Sequence, residues 1–522
     1  MRSITLLSLF SFLLSYYCIY LTFQISLASA KCLEDQQSLL LQLKNNLTYN
    51  HEISTKLKFW NTSTACCYWN GVTCDSKGHV IGLDLSAEDI SDGFDNSSSL
   101  FSLQHLQKLN LADNNFNSAI PSGFSKLVML NYLNLTYANF VGQIPIEISQ
   151  LTRLVTLDIS SLSYLIGQGL KLENPNLQSL VRNLTSIKKL YLDGVIITAK
   201  GHEWSNALLP LRGLEELTMS NCNLTGPLDS SLSRLENLSI IILDGNNFSS
   251  PVPETFSNFR NLTTLSLESC GLTGKFPQQI FQRGTLSFID LTFNSNLHGS
   301  FPEFPFNGSL QTLRVSKTSF SGAFPYTIGN MRHLSELDLS NSKFNGILPN
   351  SLSNLTELRY IDLSFNNFTG PIPSFGMAKN LAHLDLSHNR LSGAIPSSSH
   401  FEGLHSLVSI NLRDNSINGS IPSSLFALTL LQVIQLSSNR FSKFEEFINV
   451  PSSVINTLDL SSNNLSGSFP TSIFQLHSLS VLDLSSNRLN GLLQLDELLE
   501  LRNLTALDLS YNNISINVNV EN

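Results

Sequence analysis

One apolar pattern recurs along the chain. Leu358, Ile361 and Leu363 are followed by Asn366, and the same spacing returns at Leu381 to Asn389, Leu431 to Asn439, Ile455 to Asn463 and Leu479 to Asn487. Counting the central apolar residue gives 18 copies, at Leu83, Leu109, Leu133, Leu157, Leu190, Leu217, Ile241, Leu265, Ile289, Leu313, Leu337, Ile361, Leu384, Ile410, Ile434, Leu458, Leu482 and Leu507. Most steps are 24 residues, and the step from Leu157 to Leu190 is 33. Within each copy the alternation has period two, which predicts a short strand with one face buried. One such coil cannot cover its own apolar row, so neighbouring coils must cover it, and the strands then stack in a parallel sheet.

The Asn that ends each copy turns the chain away from the sheet. Its amide offers two donors and one acceptor to backbone groups left unpaired by the bend. Cys222, Cys270, Ala138 and Thr318 occupy this place in their own copies. Cys222 and Cys270 are two copies apart, about 10 Å, which exceeds the reach of a disulfide, so both are expected as small buried thiols. The other half of the repeat reads Gly-x-Ile/Leu/Phe-Pro, as at Gly142–Pro145, Gly346–Pro349, Gly370–Pro373, Gly393–Pro396, Gly419–Pro422 and Gly467–Pro470. Gly permits a tight bend and Pro fixes φ. The segment after Pro, such as Ser423-Ser-Leu-Phe-Ala-Leu, fits a short 3₁₀ turn on the convex side.

The two ends differ from the middle. Arg2, the apolar run Ile4 to Leu27 and the small residues Ala28-Ser29-Ala30 read as a signal peptide over 1–30, with an uncleaved membrane anchor as the competing reading of so long a run. Residues 31–79 form a cap, with Leu39, Leu40, Leu43 and Leu47 at helical spacing, Asp35 as the expected N-cap, and Trp60 and Trp69 completing a small unit. Cys32, Cys66, Cys67 and Cys74 lie in this cap, and an exported chain meets oxidising conditions. Four cysteines allow three pairings, and adjacent Cys66 and Cys67 rarely bond each other; Cys32–Cys66 with Cys67–Cys74 is the expected set. A zinc site lacks its usual C-x₂-C spacing and His ligands here. The repeats run over 80–512, with an irregular insertion about 162–184 read as a loop. Residues 513–522 follow as an uncapped end, so the apolar edge around Leu504, Leu507 and Leu509 is expected to lie open and the array to be truncated.

Charged residues are 14% of the chain and the net charge is −9, without a Lys/Arg run, which argues against a nucleic-acid partner. There are 16 N-x-S/T sequons. Glycan is expected at Asn46, Asn61, Asn96, Asn183, Asn223, Asn237, Asn247, Asn261, Asn307, Asn354, Asn367, Asn418, Asn464, Asn503 and Asn513, but not at Asn134, which lies on the strand face. The variable strand residues line the concave face, where aromatic and Arg side chains are the usual anchors for a protein ligand. Candidates are Tyr132, Tyr137, Tyr191, Phe293, Arg314, Arg359, Tyr360, Phe365, His383, His388 and Arg413. The Asp column at Asp84, Asp158, Asp290, Asp338, Asp362, Asp385, Asp459, Asp483 and Asp508 reads as a repeat feature facing water, not as a metal or catalytic site. No nucleophile-elbow, zinc-protease or Walker motif occurs, so neither an enzyme nor a cofactor is expected.

The cap sequence Cys66-Cys67-Tyr-Trp69-Asn-Gly71-Val72-Thr73-Cys74 and the L-x-G-x-I-P half-repeats resemble the extracellular leucine-rich-repeat receptors of plants, over about residues 31–522. Cys32-Leu-Glu-Asp-Gln-Gln-Ser-Leu-Leu-Leu-Gln-Leu-Lys44, Gly78-His79-Val80-Ile81 and Lys171-Leu-Glu-Asn-Pro-Asn-Leu177 resemble the Verticillium wilt immune receptors, a group of kinase-less receptor-like proteins. The expected fold is therefore an α/β repeat solenoid, a right-handed leucine-rich-repeat superhelix of the plant-specific type. It carries a parallel β-sheet on its concave face and short helical or 3₁₀ turns on its convex side. The resemblance implies an extracellular recognition module acting in pathogen perception, a secreted microbial protein or peptide as ligand, and receptor kinases as partners. It places the chain in the apoplast, or at the plasma membrane if a longer product continues into a membrane helix. A secreted enzyme inhibitor like those that block fungal polygalacturonases, and a non-functional decoy or remnant, are the competing readings.

Overall fold

Each apolar triplet forms a three-residue strand. In Tyr360–Asp362 the central Ile361 is buried and its two flanks are half-exposed, as a period of two requires. The computed structural model describes residues 32–161, 169–395, 401, 403–448 and 453–517. The segment expected as a signal peptide, 162–168 of the expected insertion and 518–522 of the expected end lie outside the described residues.

The chain divides into two compact units. The first runs to Ala199 and includes Asn206–Cys222; the second comprises Lys200–Ser205 and the chain from Asn223 onward. In the first unit six parallel strands follow one another, and Leu83, Leu109, Leu133, Leu157, Leu190 and Leu217 pair in register. The 33-residue step leaves the register untouched, because Leu157 still faces Leu190. In the second unit twelve strands repeat the arrangement from Ile241 to Leu507. Burying one such Leu or Ile is worth about 1.5–3 kcal/mol, so the aliphatic rows supply most of the driving force.

The half-repeat after Asn is more regular than its sequence suggests. It forms a second set of parallel strands, including Lys343–Ile347, Asn367–Gly370 and Arg390–Ala394. Gly346 takes φ 82°, and a Cβ there would approach the Ala323 Cβ to 3.1 Å. Phe320, Phe344 and Phe368 occupy equivalent places and are fully buried, with the rings of Phe344 and Phe368 parallel at 6.3 Å. After Pro the chain takes one 3₁₀ turn, as at Asn350–Asn354 and Ser423–Ala427.

Two local expectations change. The cap helix spans Glu34–Asn46, so its N-cap is Leu33 and not Asp35. The Leu33 N–H is taken by the Gly78 carbonyl, which fixes the start of the helix two residues earlier. Asp35 lies in the first turn beside Glu34, where a carboxylate favours the helix dipole. The stretch 162–184, read as a loop, holds regular elements in its described part. Leu170–Leu172 pairs with Gly142–Gln143 and Ile196–Ile197, and Leu177–Val181 is a helix capped by the Asn176 side chain.

Candidate functional site

The cap closes the first coil. Leu40, Leu43 and Leu47 are buried, Leu39 is half-buried, and the Ser99 hydroxyl donates to the Leu39 carbonyl at 2.8 Å. Cys32 bonds Cys66 and Cys67 bonds Cys74, with Cα separations of 5.5 and 5.6 Å. The four sulfurs are thus consumed as disulfides, although they lie close enough to have held a metal ion. Trp60 and Trp69 stack at 5.2 Å, and their indole N–H groups donate to the Asn70 carbonyl and the Thr64 hydroxyl.

The Asn column works as a hydrogen-bond ladder. Asn439 donates to the carbonyls of Leu412 in the previous coil and Leu436 in its own, and its Oδ1 accepts from Ile417 N–H. Asn366, Asn389, Asn415, Asn463 and Asn487 repeat this set. Cys222 and Cys270 remain thiols and donate to Leu192 and Leu243 carbonyls at 3.0 and 3.1 Å. Burial pushes the Cys270 thiol up to about 12 and the Cys222 thiol well above its ordinary value, so both are poor nucleophiles.

Glu88 holds the ladder place in the first coil and was not singled out by sequence. It is completely buried and reverses the polarity of the column, because its carboxylate only accepts. The N–H groups of Thr55, Lys56 and Leu57 and the hydroxyls of Ser54 and Thr55 all donate to it. Burial alone would raise its pKa; the bonds from Ser54, Leu57 and Thr55 outweigh burial and hold it below the usual carboxylate range.

On the open strand face the candidate residues fall into two groups. Tyr132, Tyr191, Arg314, Tyr360 and His383 lie within strands. Arg359 precedes its strand and lines a shallow cleft of about 330 Å³ with Gln311, His333, Ser335 and Glu357, and Arg413 follows its own strand. Tyr137, Phe293, Phe365 and His388 stand four residues past the central apolar residue, all with φ between 52° and 58°.

Several candidates already have partners. Arg314 is clasped by Glu336 at 2.7 Å and Asp290 at 3.3 Å, and Tyr191 donates to the Glu216 carboxylate. His383 meets the Ser409 hydroxyl at 2.9 Å, and the Tyr132 hydroxyl accepts from Asn134 at 3.3 Å. His388 lies on Phe365 at 4.0 Å between ring centres and reaches Asp414 at 2.8 Å. Lys317, another residue the sequence did not flag, sits over the Phe293 ring at 4.0 Å.

Carboxylates dominate the second unit's face. Burial, and to a lesser degree Asp290 and Glu268, lift Asp244 to about 6 against the hydrogen bonds it receives from Ser266 and Glu268. Burial raises the Tyr360 hydroxyl to about 12, with Asp362, Asp338, Asp385 and Glu336 adding to the rise. The signal for Asp244, Lys317 and Glu336 was present in the columns flanking each strand, but it became legible only once neighbouring coils were set in register.

The sequence matches the leucine-rich-repeat family models at 308–368, 379–441 and 453–514 and at 105–127, 213–235 and 261–282. It matches the leucine-rich-repeat N-terminal domain at 33–75. The chain belongs to the leucine-rich-repeat proteins. Among curated proteins it is similar to plant receptor-like proteins. It is 35% identical to Receptor-like protein 6 of Arabidopsis thaliana over 336 residues, 60% of this chain and 28% of that protein. It is 35% identical to Receptor-like protein Cf-9 of Solanum pimpinellifolium over 233 residues, 41% of this chain and 26% of that protein. The matched region thus spans less than a third of these relatives. Among solved structures it resembles the ectodomain of the Arabidopsis receptor kinase HAESA, crystallised with an IDA peptide hormone. The TM-score is 0.71 at 27% identity, over 92% of this chain and 86% of that one. The TDR receptor matches with a TM-score of 0.66 at 26% identity, over 83% of this chain and 80% of that one. Among the described residues no helix is long and apolar enough to cross a membrane.

Proposed function

We propose that this chain is the extracellular recognition part of a plant receptor-like protein that perceives a secreted microbial protein or peptide, and that it catalyses nothing. The observation that carries the reading is the open strand face of the second unit. Twelve coils present aromatic, Arg, His and carboxylate side chains in fixed register, and no convergent catalytic constellation is needed to explain them. Similarity to plant receptor-like proteins, and to receptor ectodomains solved with peptide hormones, supports the same reading. Action in defence, placement in the apoplast or at the plasma membrane, and signalling through partner receptor kinases belong to this proposal, as does affinity with the Verticillium wilt group.

The test is to display the chain on plant cells through an appended membrane helix and to challenge them with culture filtrates of plant pathogens. An oxidative burst is expected only in cells carrying the chain, with loss on Tyr360→Ala and Arg413→Ala. A burst that ignores both substitutions, or no burst with any filtrate, counts against the proposal. Inhibition of polygalacturonase by the purified chain would shift the reading to a secreted inhibitor.

A further inference from the structure

We propose that Asp338, Asp362 and Asp385, together with the exposed Phe365–His388 stack, form a docking surface for a polypeptide segment that carries a basic side chain beside an apolar one. The inference rests on the receptor reading and names the chemistry of its ligand.

The residue four places past each central apolar residue turns the chain out of the sheet in the left-handed region. Most coils fill this place with Asp, Asn, Ser or Gly, as at Asp113, Asn341, Ser438 and Gly245. These residues tolerate positive φ, whereas a bulky side chain costs about 1 kcal/mol there. Phe365 takes this place at φ 53° and is 48% exposed. His388 repeats the choice at φ 53° in the next coil, lies parallel to the Phe365 ring at 16°, and is held by Asp414. The pair forms a partly exposed aromatic shelf that suits an apolar partner side chain.

Beside the shelf runs a carboxylate row without a counter-ion. Asp338 faces Asp362 and Asp362 faces Asp385 in the strand register, about 5 Å apart. One oxygen of each accepts the backbone N–H two residues on, from Ser340, Ser364 and Ser387. The second oxygens of Asp338 and Asp385 accept only from neutral groups, Ser316 and Asn411. Among the described residues none of the three makes an ion pair, although Arg314 neutralises the same column at Asp290. Burial raises the Asp362 carboxyl, and Asp385 and Asp338 add to the rise, so the field at Asp362 is negative. A guanidinium or ammonium group placed here would balance it, and an acidic segment would be repelled.

The test uses the full chain and two short synthetic peptides, one alternating arginine and leucine and one with glutamate in place of arginine, titrated by fluorescence anisotropy at physiological salt. The arginine peptide is expected to bind and the glutamate peptide not to bind. Asp362→Asn and Phe365→Asn should each weaken binding about tenfold. Phe365→Asn should leave the thermal midpoint unchanged or higher, because Asn tolerates positive φ, which separates a binding role from a structural one. Equal binding of both peptides, no binding of either, or no effect of the two substitutions would overturn the surface. A secreted ligand bound equally by the wild type and both variants would also overturn it while leaving the receptor reading in place.

Discussion

The Leu57 backbone N–H donates to the buried Glu88 carboxylate at 2.9 Å, and this bond joins the cap to the first coil of the repeat. Glu88 also receives Ser54 at 2.5 Å and Thr55 at 3.0 Å, so it acts as a single acceptor for a whole turn of the cap. Glu88→Ala strands these donors and should cost about 3 kcal/mol or more, read as a loss of denaturant midpoint. The Glu88 pKa is lowered on folding, so its stabilisation is complete above the ordinary carboxylate value of 4.5 and is lost as pH falls through the lower folded value. Wild type should therefore lose stability in that acid window more steeply than Glu88→Gln. Parallel pH profiles would exclude this role.

Asp244 should show the opposite sign. Its pKa rises on folding from 3.8 to about 6, so the folded state binds the proton more tightly. Stability then increases as pH drops from about 6 toward 4 and is reduced above 6. Asp244→Asn removes the dependence and should raise stability at pH 7 by about 2 kcal/mol, measured by urea melts at several pH values.

The ladder predicts a contrast between amide and thiol. Asn439→Ala removes two donors and one acceptor from buried backbone groups and should cost about 3 kcal/mol. Cys270→Ala removes one weak S–H donor and should cost about 1 kcal/mol. Matching losses for the two in thermal melts would argue that volume, and not hydrogen bonding, sets the column.

Glycopeptide mapping of chain secreted from plant cells checks the sequons. Fourteen of the fifteen expected Asn residues are exposed, and Asn464 is half-buried. Asn134 should stay bare because it is half-buried on the strand face and its amide is directed at the Tyr132 hydroxyl. Full occupancy at Asn134 would show that this bond does not restrict access.

Much of the backbone was legible because each coil repeats a local rule. Leu358, Ile361, Leu363 and Asn366 state the strand, its buried side and its turn within nine positions, and all eighteen central residues lie in strands, although Glu88, Ala138, Cys222, Cys270 and Thr318 replace the Asn in their own copies. The Asp35 cap was misread because the group that sets the helix start, the Gly78 carbonyl, lies more than forty residues away.

What the sequence by itself determined is periodic: the strand positions, the Asn column, the cap cysteines and the sequons. A repeat of fixed length encodes these in each coil separately. What only the tertiary structure decided is lateral. The clasp on Arg314, the shelf of Phe365 and His388, the acceptor role of Glu88 and the parallel stack of Phe344 on Phe368 all join residues more than twenty positions apart. Stacking turns sequence distance into a spacing of about 5 Å, and only then do charge and ring geometry acquire neighbours.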